Sequence, residues 1–175
     1  MTETSQPTLS LYSASVANLD RQLSNLEHIL KLGEANALER KIEPSIFLNA
    51  RLAPDMANLI RQVQIACSMS KNCPHRLVGS TPPVYEDTEE SFSDLYALIA
   101  KARAELATFK REDIDGKEGR AFSVPMGGKK MDFVGIEYAS GFVLPNVFFH
   151  VTTAYNILRH NGVPLGKRDF FGGTL

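Results

Sequence analysis

Two polar side chains stand out in an apolar stretch towards the C-terminus. They are Asn146 and His150, within LPNVFFHVTTAYNILRHNGVP (144–164). Four residues apart, they sit one helical turn above each other on a single face. A neutral imidazole on a central helix can ligate a metal or move a proton. It can equally be a core histidine bonded to a neighbouring helix, because buried polar groups usually find structural partners. Asp55 could act as a ligand or base, or could satisfy the N–H groups of a first helical turn after Pro54. Gln62 and Asn146 are poor ligands for a divalent cation and suit an interhelical amide network better. Tyr12, Tyr96 and Tyr155 read as core residues with tethered hydroxyls, and Tyr155 is the one that could assist His150.

The other histidines and cysteines offer less. His75, in NCPH beside Cys73, lacks further ligands and reads as loop structure. His28, between Glu27 and Lys31, reads as a solvated surface residue, and His160 as a cation at a helix C-terminus. Cys67 falls in an apolar stripe and reads as an inert core thiol. Glycine-rich phosphate loops and the G-x-S-x-G, H-E-x-x-H and C-x-x-C motifs are absent from the sequence.

These groups need helices to hold them. Apolar residues at Leu9, Tyr12, Val16, Leu19, Leu23, Leu26, Ile29 and Leu30 predict an amphipathic helix over 9–32, ended by Gly33. The segment 1–8 is polar and reads as frayed. A short helix over 34–40 is an option, and Ser45 to Ala50 suits one or two turns. Pro54 predicts the start of the second long helix, with Asp55 and Gln62 nearly eclipsed on it and Cys73-Pro74 kinking or ending it. The third long helix is predicted over 87–110, with Asp87 and Glu90 as a capping-box-like start. Arg111 to Arg120 reads as a charged loop. The runs 121–126 and 129–134 flank Gly127-Gly128 and predict a hairpin with a two-residue turn. The fourth helix is predicted over 136–161 and as apolar on most sides, with a kink at Pro145. Phe170 and Phe171 should fold back onto the helices.

Composition narrows the function classes. The 175 residues suit one domain spanning 1–175. Lysine plus arginine total 19 against 20 acidic residues, so the basic excess of a nucleic-acid binder is missing. No apolar run approaches the roughly 20 residues that span a bilayer, and the N-terminus lacks the features of a signal peptide. Two cysteines make no disulfide framework, which suits a reduced, cytoplasmic setting.

The blocks NARLAPDMANLIRQVQIACSMSK, PPVYEDTEESFSDL and LPNVFFHVTTAYNILRHNGVPLGKRDFFG resemble a domain-of-unknown-function family of small bacterial proteins. That family lies within the DinB/YfiT-like superfamily of metalloenzyme-type bundles. The resemblance implies an all-α fold: a DinB-like four-helix bundle, up-down-down-up, with a short β-hairpin between the third and fourth long helices. It also implies a homodimer and, in better-known members, zinc or nickel on three histidines. One of these comes from the second helix and two, spaced H-x-x-x-H, from the fourth. Some members transfer low-molecular-weight thiols. Matching LRHNGVP to the superfamily's helix end puts the H-x-x-x-H pair on Asn146 and His150, and the second-helix ligand near Gln62. One histidine of three is kept, so no metal is expected; a bound Zn²⁺ or Ni²⁺, if there is one, would rest on His150. Three readings follow. The Gln62/Asn146/His150 set could be a site for a small polar molecule or a structural polar site. It could belong to a metal-dependent enzyme of thiol-transferase or hydrolase type that uses His150, with Asp55 or Tyr155 assisting. Or the chain could be a homodimeric interaction module.

Overall fold

A computed structural model of the chain describes residues 9–173; the polar segment 1–8 lies outside the described residues. In order, the helices are α1 (Leu11–Ala14), α2 (Val16–Glu39), α3 (Pro44–Asn49), α4 (Leu59–Val78), α5 (Phe92–Leu106) and α6 (Arg111–Ile114). The strands β1 (Ala121–Met126) and β2 (Lys129–Val134) follow, then a π-helical segment (Glu137–Val143), α7 (Leu144–His160) and α8 (Lys167–Phe170). The fold is mostly helical. α4 packs against α5 and α7, and α2 packs against the same two helices. Their inward stripes supply the core: Leu19, Leu23, Leu26 and Ile29 from α2, Leu59, Val63 and Ala66 from α4, Leu95, Ile99 and Ala102 from α5. Val147, Val151, Ala154, Ile157 and Leu158 complete it from α7. Each set steps by three and four, and each buried Leu or Ile contributes roughly 1.5–3 kcal/mol of transfer free energy.

Several boundaries differ from those predicted. The first helix breaks at Ser15, whose hydroxyl donates to the Leu11 carbonyl (2.6 Å). It then runs through Gly33 to Glu39 instead of stopping, absorbing the short helix over 34–40. Gly33 is there for closeness: a Cβ on it would stand 2.7 Å from Leu158 Cδ2. Pro54 lies in a turn ahead of α4, and the helix starts where the Asn58 side chain accepts the Arg61 N–H (3.0 Å). Asp55 is therefore an exposed loop residue and shares no helical face with Gln62. Pro74 does not end α4, which continues one more turn and places His75 on a helix instead of in a loop.

The third long helix starts at Phe92, later than predicted, because Ser91 and Asp94 form the capping box. Asp87 instead takes a left-handed backbone (φ 54°) and pairs with Arg61. The charged loop carries the single turn α6. The hairpin matches its expected register, Met126 opposite Lys129 and Ala121 opposite Val134. Gly127 and Gly128 both lie in the left-handed region, as a type I′ turn requires. The kink expected at Pro145 takes the form of the π segment, in which the Leu144 N–H bonds the Ala139 carbonyl five residues back. Helices commonly absorb an irregularity by such a bulge, and Pro145, which lacks an N–H, follows it directly. α7 is less apolar-packed than predicted: Phe148 and Phe149 point outward, 37% and 56% exposed. Phe170 folds back on Tyr155 edge to face (6.0 Å). No helix of the described residues is long and apolar enough to cross a membrane.

Candidate functional site

α4 and α7 pack side by side and bring Gln62 to His150, 88 positions later in the chain. His150 Nδ1–H donates to Gln62 Oε1 at 2.7 Å. The tautomer follows from Gln62's other end, whose Nε2 donates to the Ala57 carbonyl (2.9 Å). That bond needs the amide nitrogen on the Ala57 side, so the oxygen faces the ring and the ring must donate. The lone pair of His150 is thereby left on Nε2, which has no protein partner among the described residues. Gln62 is 2% exposed and both ends of its amide are in use. His150 is half-buried, with the Phe149 ring edge to face against it at 5.3 Å. Burial, and after it the charge of Arg61, holds the imidazole below its ordinary range. Nothing in the sequence singles out Arg61. Its effect depends on α4 packing against α7, which brings its charge within electrostatic range of the ring.

Asn146 lies one turn before His150, and its Nδ2 donates to the Phe142 carbonyl in the π segment (2.7 Å). Its amide nitrogen thus stabilises its own helix at the irregularity, leaving Oδ1 as its remaining polar atom. Tyr155 is placed elsewhere: its hydroxyl reaches the Leu165 carbonyl at 3.4 Å and its ring meets Phe170. Asp55 sits in the exposed turn before α4. Neither has a bond to His150.

The donor set does not suit a tightly held divalent cation. The Gln62 carbonyl oxygen and His150 Nδ1 are engaged with each other, which leaves one imidazole nitrogen and the neutral Asn146 oxygen. Zinc sites draw on three or four thiolate, imidazole or carboxylate ligands. Among the described residues no three His, Cys, Asp or Glu side chains gather in a metal-sized group.

The other candidates lie in the core or at the surface, away from His150. Cys67 and Cys73 are buried free thiols; burial pushes Cys67 strongly up and Cys73 up to about 12, so neither is a nucleophile at neutral pH. The Tyr96 hydroxyl donates to Glu34 (2.8 Å), and the Tyr12 ring lies beneath the Arg111 guanidinium (5.5 Å). His28, expected to be a solvated surface residue, is half-buried and stands 3.8 Å from Asp169. His160 is exposed in the last turn of α7. Prominent clefts lie away from His150. One of 630 Å³ is lined by α2, Arg103 of α5 and the C-terminal segment, and one of 440 Å³ lies between α5 and the 84–90 strap.

No curated protein matches this chain. Among solved structures it is similar to the crystal structure, at 1.83 Å resolution, of a DinB family member protein from Shewanella denitrificans. The TM-score is 0.83 and the identity 39%, over 93% of this chain and 92% of that one. A family profile described as "Domain of unknown function (DUF1993)" matches residues 11–171. The chain therefore belongs to the DUF1993 family and has a DinB-like helical fold.

Proposed function

We propose that Gln62 and His150 form a metal-free polar site at which His150 Nε2 accepts a hydrogen bond from a small polar molecule. The observation that carries this is the locked ring: Gln62 takes the Nδ1–H and leaves the other nitrogen unpaired. The four long helices are read as a DinB-like bundle of up-down-down-up order, supported by the packing of α2 and α4 each against both α5 and α7. Where DinB relatives concentrate imidazoles, this chain carries amides, which favour hydrogen bonding over cation binding. Arg61 is paired with Asp87, so the ligand is defined by its hydrogen-bonding group rather than its charge. A small molecule with a hydroxyl or amide donor fits best.

Long-range ¹⁵N–¹H NMR of the histidine side chains tests the reading. At pH 7.5 His150 should show the Nδ1–H tautomer, and titration with glycolate should shift its Nε2 resonance saturably. An Nε2–H tautomer, or no shift up to solubility, overturns the proposal. A second reading, in which α7 meets a second copy of this chain, is favoured by the outward Phe148 and Phe149. Sedimentation showing a monomer at high micromolar concentration would remove it.

A further inference from the structure

Away from His150, the last turns of α4 and α5 bring three side chains into a line. Ser80 Oγ lies 2.7 Å from His75 Nδ1, and His75 Nε2 lies 2.8 Å from Glu105 Oε1. A carboxylate can only accept, so Glu105 takes the Nε2–H, and in the neutral ring this leaves a lone pair on Nδ1. In that state the serine hydroxyl donates to the lone pair at 2.7 Å. This is the tautomer in which an imidazole can remove a serine proton.

The parts are fixed by their surroundings. His75 is 12% exposed in its side chain, and the Phe109 ring packs edge to face against it at 4.8 Å. Gly79 closes α4 in the left-handed region, so Ser80 projects from the end of a rigid helix and is exposed. Helix capping does not account for the hydroxyl. The His75 carbonyl already receives the Gly79 N–H (2.9 Å) and the Ser80 N–H (2.8 Å), and the hydroxyl stands 3.4 Å from it against 2.7 Å from the ring. Two donors are close in the chain or the fold, one on the next residue and one against Gly79. The Thr81 N–H makes no bond among the described residues. The Arg120 guanidinium, held by the Arg76 carbonyl (2.7 Å), places Nη2 2.5 Å from where a Gly79 Cβ would stand.

We propose that Ser80, His75 and Glu105 form a nucleophilic relay that hydrolyses small, unhindered carboxylic esters through an acyl-Ser80 intermediate. Ser80 Oγ bonds to the ester carbon, its proton passes to His75 Nδ1, and the carbonyl π pair moves onto oxygen. Thr81 N–H and Arg120 stabilise that oxyanion. When the adduct collapses, the bond to the leaving oxygen breaks and that oxygen takes the proton from Nδ1. Water, deprotonated by Nδ1, then attacks the acyl carbon; the carbon–Oγ bond breaks and Oγ takes the proton back from Nδ1, which releases the carboxylic acid and restores the Ser80 hydroxyl. Glu105 is a positioning residue: it fixes the tautomer and stabilises the imidazolium.

Labelling the full chain with a fluorophosphonate probe, followed by peptide mass mapping, tests the relay independently of His150. One adduct, on Ser80, is expected. It should vanish in Ser80→Ala and form at least about a hundredfold more slowly in His75→Gln, the low end for losing a general base. In Glu105→Leu labelling should slow because the ring loses the acceptor of its Nε2–H, and Glu105→Gln, whose amide oxygen can still accept that proton, should recover part of the rate. Circular dichroism checks that each variant is folded. No adduct on Ser80, equal labelling of other serines, or a His75→Gln rate equal to wild type would overturn the proposal.

Discussion

Replacing Gln62 with leucine removes the partner that fixes His150 while nearly keeping the side-chain volume, so no cavity term enters. Two bonds are lost, Gln62 Nε2 to the Ala57 carbonyl (2.9 Å) and His150 Nδ1 to Gln62 Oε1 (2.7 Å). Each is a net contribution of about 0.5–1.5 kcal/mol. Ala57 and His150 are both only half-buried, so water can reach the orphaned groups. The loss should therefore fall near the low end, about 1–2 kcal/mol in total. Urea unfolding at pH 7.5 reads this directly. With a slope of roughly 2 kcal/mol/M, the midpoint should drop by about 0.5–1 M at unchanged slope. Repeating the measurement in His150→Leu and in the double variant should give a coupling energy of about 1 kcal/mol. A midpoint shift below about 0.25 M, or a coupling near zero, would mean that the 2.7 Å contact does not hold the ring, and the site would lose its basis.

Further outcomes follow from the same packing. Gly33→Ala should gain about 1 kcal/mol of helix propensity yet be destabilising overall, because the added Cβ meets buried Leu158 at 2.7 Å and overpacking costs about 1–3 kcal/mol. In a Leu158→Ala background the same substitution should become stabilising, which thermal unfolding of the four proteins would check. Because the folded imidazole of His150 is held below its ordinary range, the unfolded chain binds the proton first as pH falls. The part of the stability owed to His150 should be full above about pH 7 and decline as pH drops through about 6.5, and the decline should be smaller in His150→Gln. Restoring imidazoles with Gln62→His and Asn146→His should create a zinc site measurable by calorimetry. Failure to bind would argue against matching these positions to the relatives' ligands.

The hairpin was legible because Gly127-Gly128 between two short β-like runs permits few alternatives. The long helices were legible from their apolar stepping, and their ends were not. Gly33 looks like a stop in isolation, but its role is set by Leu158, a residue 125 positions away. Pro54 looks like a helix start, but the Asn58 side chain outcompetes it by capping the Arg61 N–H. Asp55 lost its place beside Gln62 for that reason. The Gln62–His150 contact spans two helices, and no local pattern announces it; superposing the family's helix ends on this sequence points to both positions. The Ser80–His75–Glu105 line left no local signal either. Glu105 arrives from another helix, and His75 reads as loop structure as long as Pro74 is taken to end α4.

Metal content bears most directly on the Gln62–His150 site. The purified full chain would be loaded with Zn²⁺ or Ni²⁺, dialysed against EDTA and assayed by elemental mass spectrometry, alongside His150→Ala. A site with one imidazole and a self-engaged amide should retain only substoichiometric metal, equal in the two proteins. One equivalent that survives EDTA in the wild type and is lost in His150→Ala would contradict a metal-free hydrogen-bonding site.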